Sequence, residues 1–146
     1  NGRSSKSYRD EGWWDKAIAL HGDYYLIQFG HNDQPGKGPA RETDPETTFA
    51  ANLARYVDEA RAIGAKPVLV TSLVRRTFSK SDPTRLESAH VPYVAALLRV
   101  AQEKSVPVID LHARSLALCE SMGPAETARF DFPDANGTPV LVCKTT

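Results

Sequence analysis

The chain reads as an α/β protein built on a parallel sheet, and three features of its sequence predict this. Short apolar runs at residues 24–29, 66–71 and 106–111 have the length and composition of strands. Each is followed, after a polar segment, by a stretch with helical periodicity. Parallel strands cannot be joined by tight hairpins and need crossovers, so strand and helix alternating three times is the order such a sheet imposes.

The elements can be justified in turn. Residues 10–20 place Trp13, Trp14, Ala17, Ile18 and Leu20 at helical spacing before His21, Gly22 and Asp23 break the pattern, which predicts one short helix. Adjacent tryptophans on a helix point in different directions, so one is expected inward and the other outward. Residues 24–29 are nearly continuous in apolar and aromatic side chains and end at Gly30, as expected of a strand covered on both faces. Residues 32–41 then read as an irregular loop.

Asp44 followed by Pro45 is a strong helix start: the carboxylate can cap free N–H groups, and proline sits where no hydrogen bond is lost. Phe49, Leu53, Tyr56, Val57, Ala60 and Ile63 follow at three- and four-residue steps, and Gly64 supplies the stop. A polar loop is expected from Val74 to about Ser88, then a helix over residues 89–104 with Pro92 in its first turn and Val94, Leu97, Leu98 and Ala101 inward. A helix over residues 113–122 should end at Gly123 and Pro124, and Asn136-Gly137 signals a hairpin turn before Val140.

With 146 residues the chain fits one domain, residues 1–146, of a size that buries roughly 70% of its unfolded surface. Eighteen Lys and Arg balance eighteen Asp and Glu, so composition implies neither a nucleic-acid partner nor attraction to an anionic membrane. The longest apolar runs are strand-sized, far below the ~20 residues of a membrane span. Cys119 and Cys143 are too few for a disulfide framework and are expected as buried thiols. His21, His90 and His112 lack metal-ligand spacing, so no metal or other cofactor is expected. The chain opens at Asn1 without an initiator methionine or leader, which fits a start inside a longer protein.

Chemistry concentrates at two turns. Residues 28–33 follow the first strand and end in Gly30-His31-Asn32-Asp33, a place where an amide donor can face a developing oxyanion. Asn1-Gly2-Arg3-Ser4-Ser5 supplies a second glycine turn. The carboxyl ends of parallel strands are where ligands bind in such sheets, so residues 30–33, 71–78 and 110–114 are expected to cluster.

Taken in order, these segments resemble the SGNH (GDSL-type) hydrolases, and within them the rhamnogalacturonan acetylesterase-like branch. Residues 1–5 followed by 8–12 resemble that branch's second block and residues 25–34 (YLIQFGHNDQ) its third, while residues 70–78 and 106–111 resemble later segments. The resemblance implies a three-layer α/β/α, flavodoxin-like SGNH hydrolase fold, present here as a partial domain with about three main strands. It implies ester hydrolysis by a serine nucleophile, a histidine base and an orienting aspartate, with an acetylated polysaccharide or other small ester as substrate. Two oxyanion donors map onto this chain, the Gly2 backbone N–H and the Asn32 side-chain amide.

In such proteins the nucleophile block lies before Asn1, and Cys143 and Thr146 stand where the final Asp-x-x-His block has its acid and base. The chain alone is therefore expected to be inactive. Ser4 and Ser5 follow the oxyanion glycine and are expected as helix caps, not nucleophiles. His31 is expected in a structural role or at the substrate wall, Asp33 as the turn's acceptor, and Arg75 and Arg76 either as partners for uronate carboxylates or as a solvated basic pair. The missing amino-terminal strands would leave residues 24–29 as an apolar edge and the isolated chain prone to association. A non-catalytic carbohydrate-binding or scaffold domain that has lost the triad, or another SGNH esterase such as a lipase or thioesterase, fits the same residues.

Overall fold

A computed structural model describes residues 2–130, 132–133 and 139–140. They form two compact units: Asn1–Ser72 with His90–Leu111, and Leu73–Ala89 with His112–Thr146. The first holds a three-stranded parallel sheet flanked by helices. Its strands, β1 (Tyr24–Ile27), β2 (Lys66–Val70) and β3 (Val108–Ile109), lie in the order β1-β2-β3. Tyr24 pairs with Lys66 and Ile27 with Leu69 in one register, and Leu69 pairs with Val108 in the next.

The helix expected over residues 10–20 is instead two, α1 (Ser7–Asp10) and α2 (Trp13–Ile18). Gly12 divides them at φ +72°, a left-handed conformation that ends one helical run and leads into the next. Trp14 is buried and Trp13 is 39% exposed, as adjacent positions on a helix require. The Trp14 indole N–H donates to Glu59 at 2.6 Å.

β1 departs from expectation in one respect. Its apolar run predicts cover on both faces, yet Tyr24 is 59% and Leu26 66% exposed, while Ile27 is buried. β1 is an edge of the sheet among the described residues, and strand geometry sends alternate side chains to opposite faces, so Tyr24 and Leu26 share the exposed face and Ile27 points to the other.

Pro45–Phe49 opens the next helix as a single π-type turn, with Phe49 N–H donating to Asp44 O at 2.9 Å. Asp44 Oδ1 caps it, accepting from Glu46 and Thr47 N–H at 3.0 and 2.9 Å. The helix continues as α3 (Ala50–Ala62), and α4 (Val91–Glu103) carries Pro92 in its first turn. The apolar stripes of both helices meet over the sheet in a core that includes Phe49, Leu53, Tyr56, Leu69, Leu97 and Val100. Ile63 and Leu98, expected inward, are 37% and 38% exposed, and on α4 Tyr93, Ala96 and Val100 fill the inward face beside Leu97 and Ala101. β3 is shorter than the 106–111 run: Pro107 has no N–H to give, and only its carbonyl joins the ladder, accepting from Leu69 N–H at 3.0 Å.

In the second unit, α5 (Leu111–Thr127) is two helical segments that meet at Gly123, where the stop was expected. The backbone there is not helical, and Pro124 restarts the helix where its missing N–H costs nothing. Residues 73–89 pack along α5 through Val74 N–H to Ser115 Oγ (3.0 Å), Leu86 N–H to Glu120 (3.0 Å) and Ser88 Oγ to His112 Nε2 (2.8 Å). Cys119 is buried on α5, and that burial pushes its thiol up. β4 (Phe132–Pro133) and β5 (Pro139–Val140) pair antiparallel. The turn expected at residues 135–137 and the altered block at Cys143 and Thr146 lie outside the described residues.

Candidate active-site cleft

The turn after β1 is built around Asp33, which is fully buried. Its carboxylate accepts from Gly30 N–H (3.0 Å), Ser5 N–H (3.0 Å), Ser5 Oγ (2.6 Å) and Thr43 Oγ1 (3.0 Å). Burial pushes this carboxyl up from the ordinary aspartate range, and the hydrogen bonds from Ser5, Thr43 and Gly30 oppose that. The turn is closed from behind by Tyr93 on α4, whose hydroxyl donates to the carbonyls of Asp33 (3.0 Å) and Thr43 (2.8 Å).

The first turn is fixed with equal economy. Ser4 and Ser7 cap each other, with Ser7 N–H donating to Ser4 Oγ at 3.1 Å and Ser4 N–H to Ser7 Oγ at 2.9 Å. Ser4 and Ser5 are both 0% exposed; Ser4 Oγ accepts from Ser7 N–H at the start of α1, whereas Ser5, expected as a cap, instead gives its N–H and Oγ to Asp33. The Ser5 carbonyl accepts from Tyr56 Oη at 2.8 Å, and burial pushes the Tyr56 phenol above its usual range so that it stays a donor. Asn52 Nδ2 donates to Ser5 Oγ at 3.1 Å.

These two turns meet at one open cleft of about 290 Å³, lined by Gly2, Arg3, Tyr8, Gln28, Phe29, Gly30, His31 and Asn32. Gly2 is exposed, at φ +75°, and a Cβ there would meet nothing within 4 Å. Its role in the free chain is therefore conformational, with no crowding to relieve. Asn32 is half-buried and its amide reaches Arg3 O at 3.4 Å, which places it beside the Gly2 turn. His31 stands in the cleft wall with its ring centroid 4.4 Å from that of buried His90. The rings of Tyr8 and Phe29, 5.7 Å apart, form another part of the wall.

Of the three segments expected to cluster, parts of all three meet in the first unit: Gly30 lies against the Ser72 side chain, and Thr71 Oγ1 donates to Asp110 at 2.9 Å. Arg75 and Arg76 belong to the second unit, where Arg76 donates to Thr127 Oγ1 at 3.1 Å. Among the described residues no three His, Cys, Asp or Glu side chains stand close enough to share a metal ion.

Sequence reasoning missed Arg3 and Tyr8 in the cleft wall and Asn52 behind it. Asn52 left a readable signal: it lies three residues after Phe49 and four before Tyr56, a polar position at the border of an apolar stripe. Such a residue usually has a partner.

Comparison with known proteins places these features in a wider setting. Residues 1–133 match the GDSL-like Lipase/Acylhydrolase family. The chain is 45% identical over 132 residues to the rhamnogalacturonan acetylesterase RhgT of Bacillus subtilis (strain 168), covering 88% of this chain and 54% of that protein. It is 35% identical over 124 residues to the probable rhamnogalacturonan acetylesterase YesY of the same organism, covering 84% and 56%. This chain thus spans about half the length of these relatives. Among solved structures, YxiM from Bacillus subtilis superposes with a TM-score of 0.77 at 26% identity, over 95% of this chain and 38% of that one. A catalytic mutant of an acetylxylan esterase from Geobacillus stearothermophilus shares the fold, with a TM-score of 0.67 at 18% identity over 86% and 57%.

Proposed function

This chain belongs to the GDSL-like Lipase/Acylhydrolase family, and from that premise we propose that the whole protein is a carbohydrate O-acetylesterase acting on a pectic, rhamnogalacturonan-type polysaccharide. The reading rests on one observation above all: Gly2 and Asn32, from turns about thirty residues apart, line the same cleft. The 45% identity to a rhamnogalacturonan acetylesterase supports the substrate class.

In this reading the two residues serve as donors. As a serine oxygen attacks the acetyl carbonyl, negative charge gathers on the carbonyl oxygen. The Gly2 N–H and the Asn32 amide, held by a buried network, stabilise that charge without having to reorganise. The nucleophile, base and orienting acid are assigned to other parts of the whole protein, so the isolated chain turns over no ester. His31 bounds the acetyl end of the cleft, and Arg75 and Arg76 pair with uronate carboxylates of the polymer. The reaction needs no cofactor.

The test is acetate release by the whole protein from acetylated rhamnogalacturonan and from acetylated xylan. Faster release from the first supports the reading. Preference for xylan overturns the substrate class, and no release from either by folded protein overturns the esterase assignment.

A further inference from the structure

The two candidate donors sit on segments that local structure does not join, so something else must set their separation. Ser5 is the joint. Its N–H and Oγ both reach the Asp33 carboxylate, at 3.0 and 2.6 Å, across 28 positions of sequence. The same carboxylate accepts from Gly30 N–H, two residues before Asn32. The Ser5 hydroxyl has one proton, which is committed to Asp33 at that short distance. Its lone pairs remain, and Asn52 Nδ2 on α3 donates to one of them at 3.1 Å. Tyr56, one turn further along α3, holds the Ser5 carbonyl at 2.8 Å.

We infer that Asn52 and Ser5 are positioning residues, forming with Asp33 a relay from α3 that sets the spacing of the Gly2 and Asn32 donors. The inference rests on the esterase reading for its catalytic consequence, although the relay itself does not. A charge-assisted bond as short as Ser5 to Asp33 is strengthened when its hydroxyl also accepts, because each bond polarises the next. Donors that stabilise an oxyanion tolerate little displacement, so loosening this joint affects turnover more than binding.

Asn52→Asp is the decisive variant, since it keeps the side chain's size and replaces the amide donor with a carboxylate that Ser5 Oγ cannot accept from. Val100→Ala, which opens a cavity in α4 far along the core, serves as the control for lost stability. In this chain, amide exchange is read at Ser5 and Gly30, the two N–H groups that donate to Asp33. Protection there is expected to fall at least tenfold in Asn52→Asp, and in Val100→Ala to change only as much as the rest of the core. In the whole protein, kcat for acetate release is expected to fall at least tenfold with KM within twofold.

Unchanged protection at Ser5 and Gly30 overturns the relay, as does a loss no larger than that of Val100→Ala. If protection falls as expected while wild-type whole protein releases no acetate, the relay stands and the esterase reading is the one that fails.

Discussion

Gly30 and Ser72 are in such close approach that a Cβ at position 30 would stand 2.5 Å from Ser72 Oγ, nearer than non-bonded carbon and oxygen can come. Gly30 also runs at φ +132°, a conformation an L side chain rarely adopts, and Ser72 Oγ is pinned by its hydrogen bond to Phe29 O at 2.9 Å. Glycine is required here twice over, by backbone and by space. Gly30→Ala should cost about 1–3 kcal/mol in urea denaturation. Adding Ser72→Gly should recover only part of this, because it relieves the contact and leaves the backbone strain. Full recovery would show that the conformation carries no cost.

Asn32→Ala tests the donor role directly. Losing one oxyanion donor costs on the order of 10²–10³ in kcat. The Asn32 amide makes only a 3.4 Å contact to Arg3 O in the free chain, so the melting temperature should barely move. Acetate release by the whole protein measures the first and thermal unfolding the second. Turnover equal to wild type would remove Asn32 from the site.

Arg75→Ala separates polymer recognition from chemistry. A guanidinium that pairs with a uronate contributes on the polymer alone, so KM for acetylated rhamnogalacturonan should rise about three- to tenfold. KM for a small aryl acetate should stay put. Parallel rises on both substrates would assign Arg75 to the fold instead.

Glu59 gives the fold a dependence on pH. It accepts from Arg9 Nη1 and Nη2 and from Arg55 Nε, each at 2.8 Å, and from Trp14 Nε1 at 2.6 Å. Burial by itself raises its carboxyl, but the bonds from Arg9, Arg55 and Trp14 outweigh that and hold it below the ordinary value of 4.5. A carboxyl held lower in the folded than in the unfolded chain contributes stability above the unfolded value, and that contribution is lost as pH falls through the folded one. Glu59→Gln should therefore destabilise by about 1–3 kcal/mol at neutral pH, and the gap to wild type should narrow below pH 4.5. Denaturation midpoints across that range are the measurement. A gap that stays constant with pH would mean that the charge of Glu59 is not what the fold uses.

Much of this was legible in the chain itself. Asp44 before Pro45 announced the start of the third helix, and the stripe from Phe49 to Ala60 announced its buried face, because capping and periodicity are local and every element carries its own copy of them. Asp33 was readable as the acceptor of its turn for the same reason. Leu26 was not readable: a run of apolar residues looks alike whether one face or both are covered, and only the placement of the helices decides. The break at Gly12 was likewise not readable, since a glycine permits a stop without compelling one, whereas the stop at Gly123 before Pro124 was.

The sequence by itself determined the order of strands and helices, because that follows from side-chain type and spacing along the chain, and its family resemblance pointed to residues 2 and 32 as donors. Tertiary structure alone decided that the two turns share a cleft and that Ser5, Asn52 and Asp33 tie them together. Those contacts join groups 28 and 47 positions apart, and a hydrogen bond across such a gap leaves no period in the sequence, since its partners become neighbours only once the chain has folded.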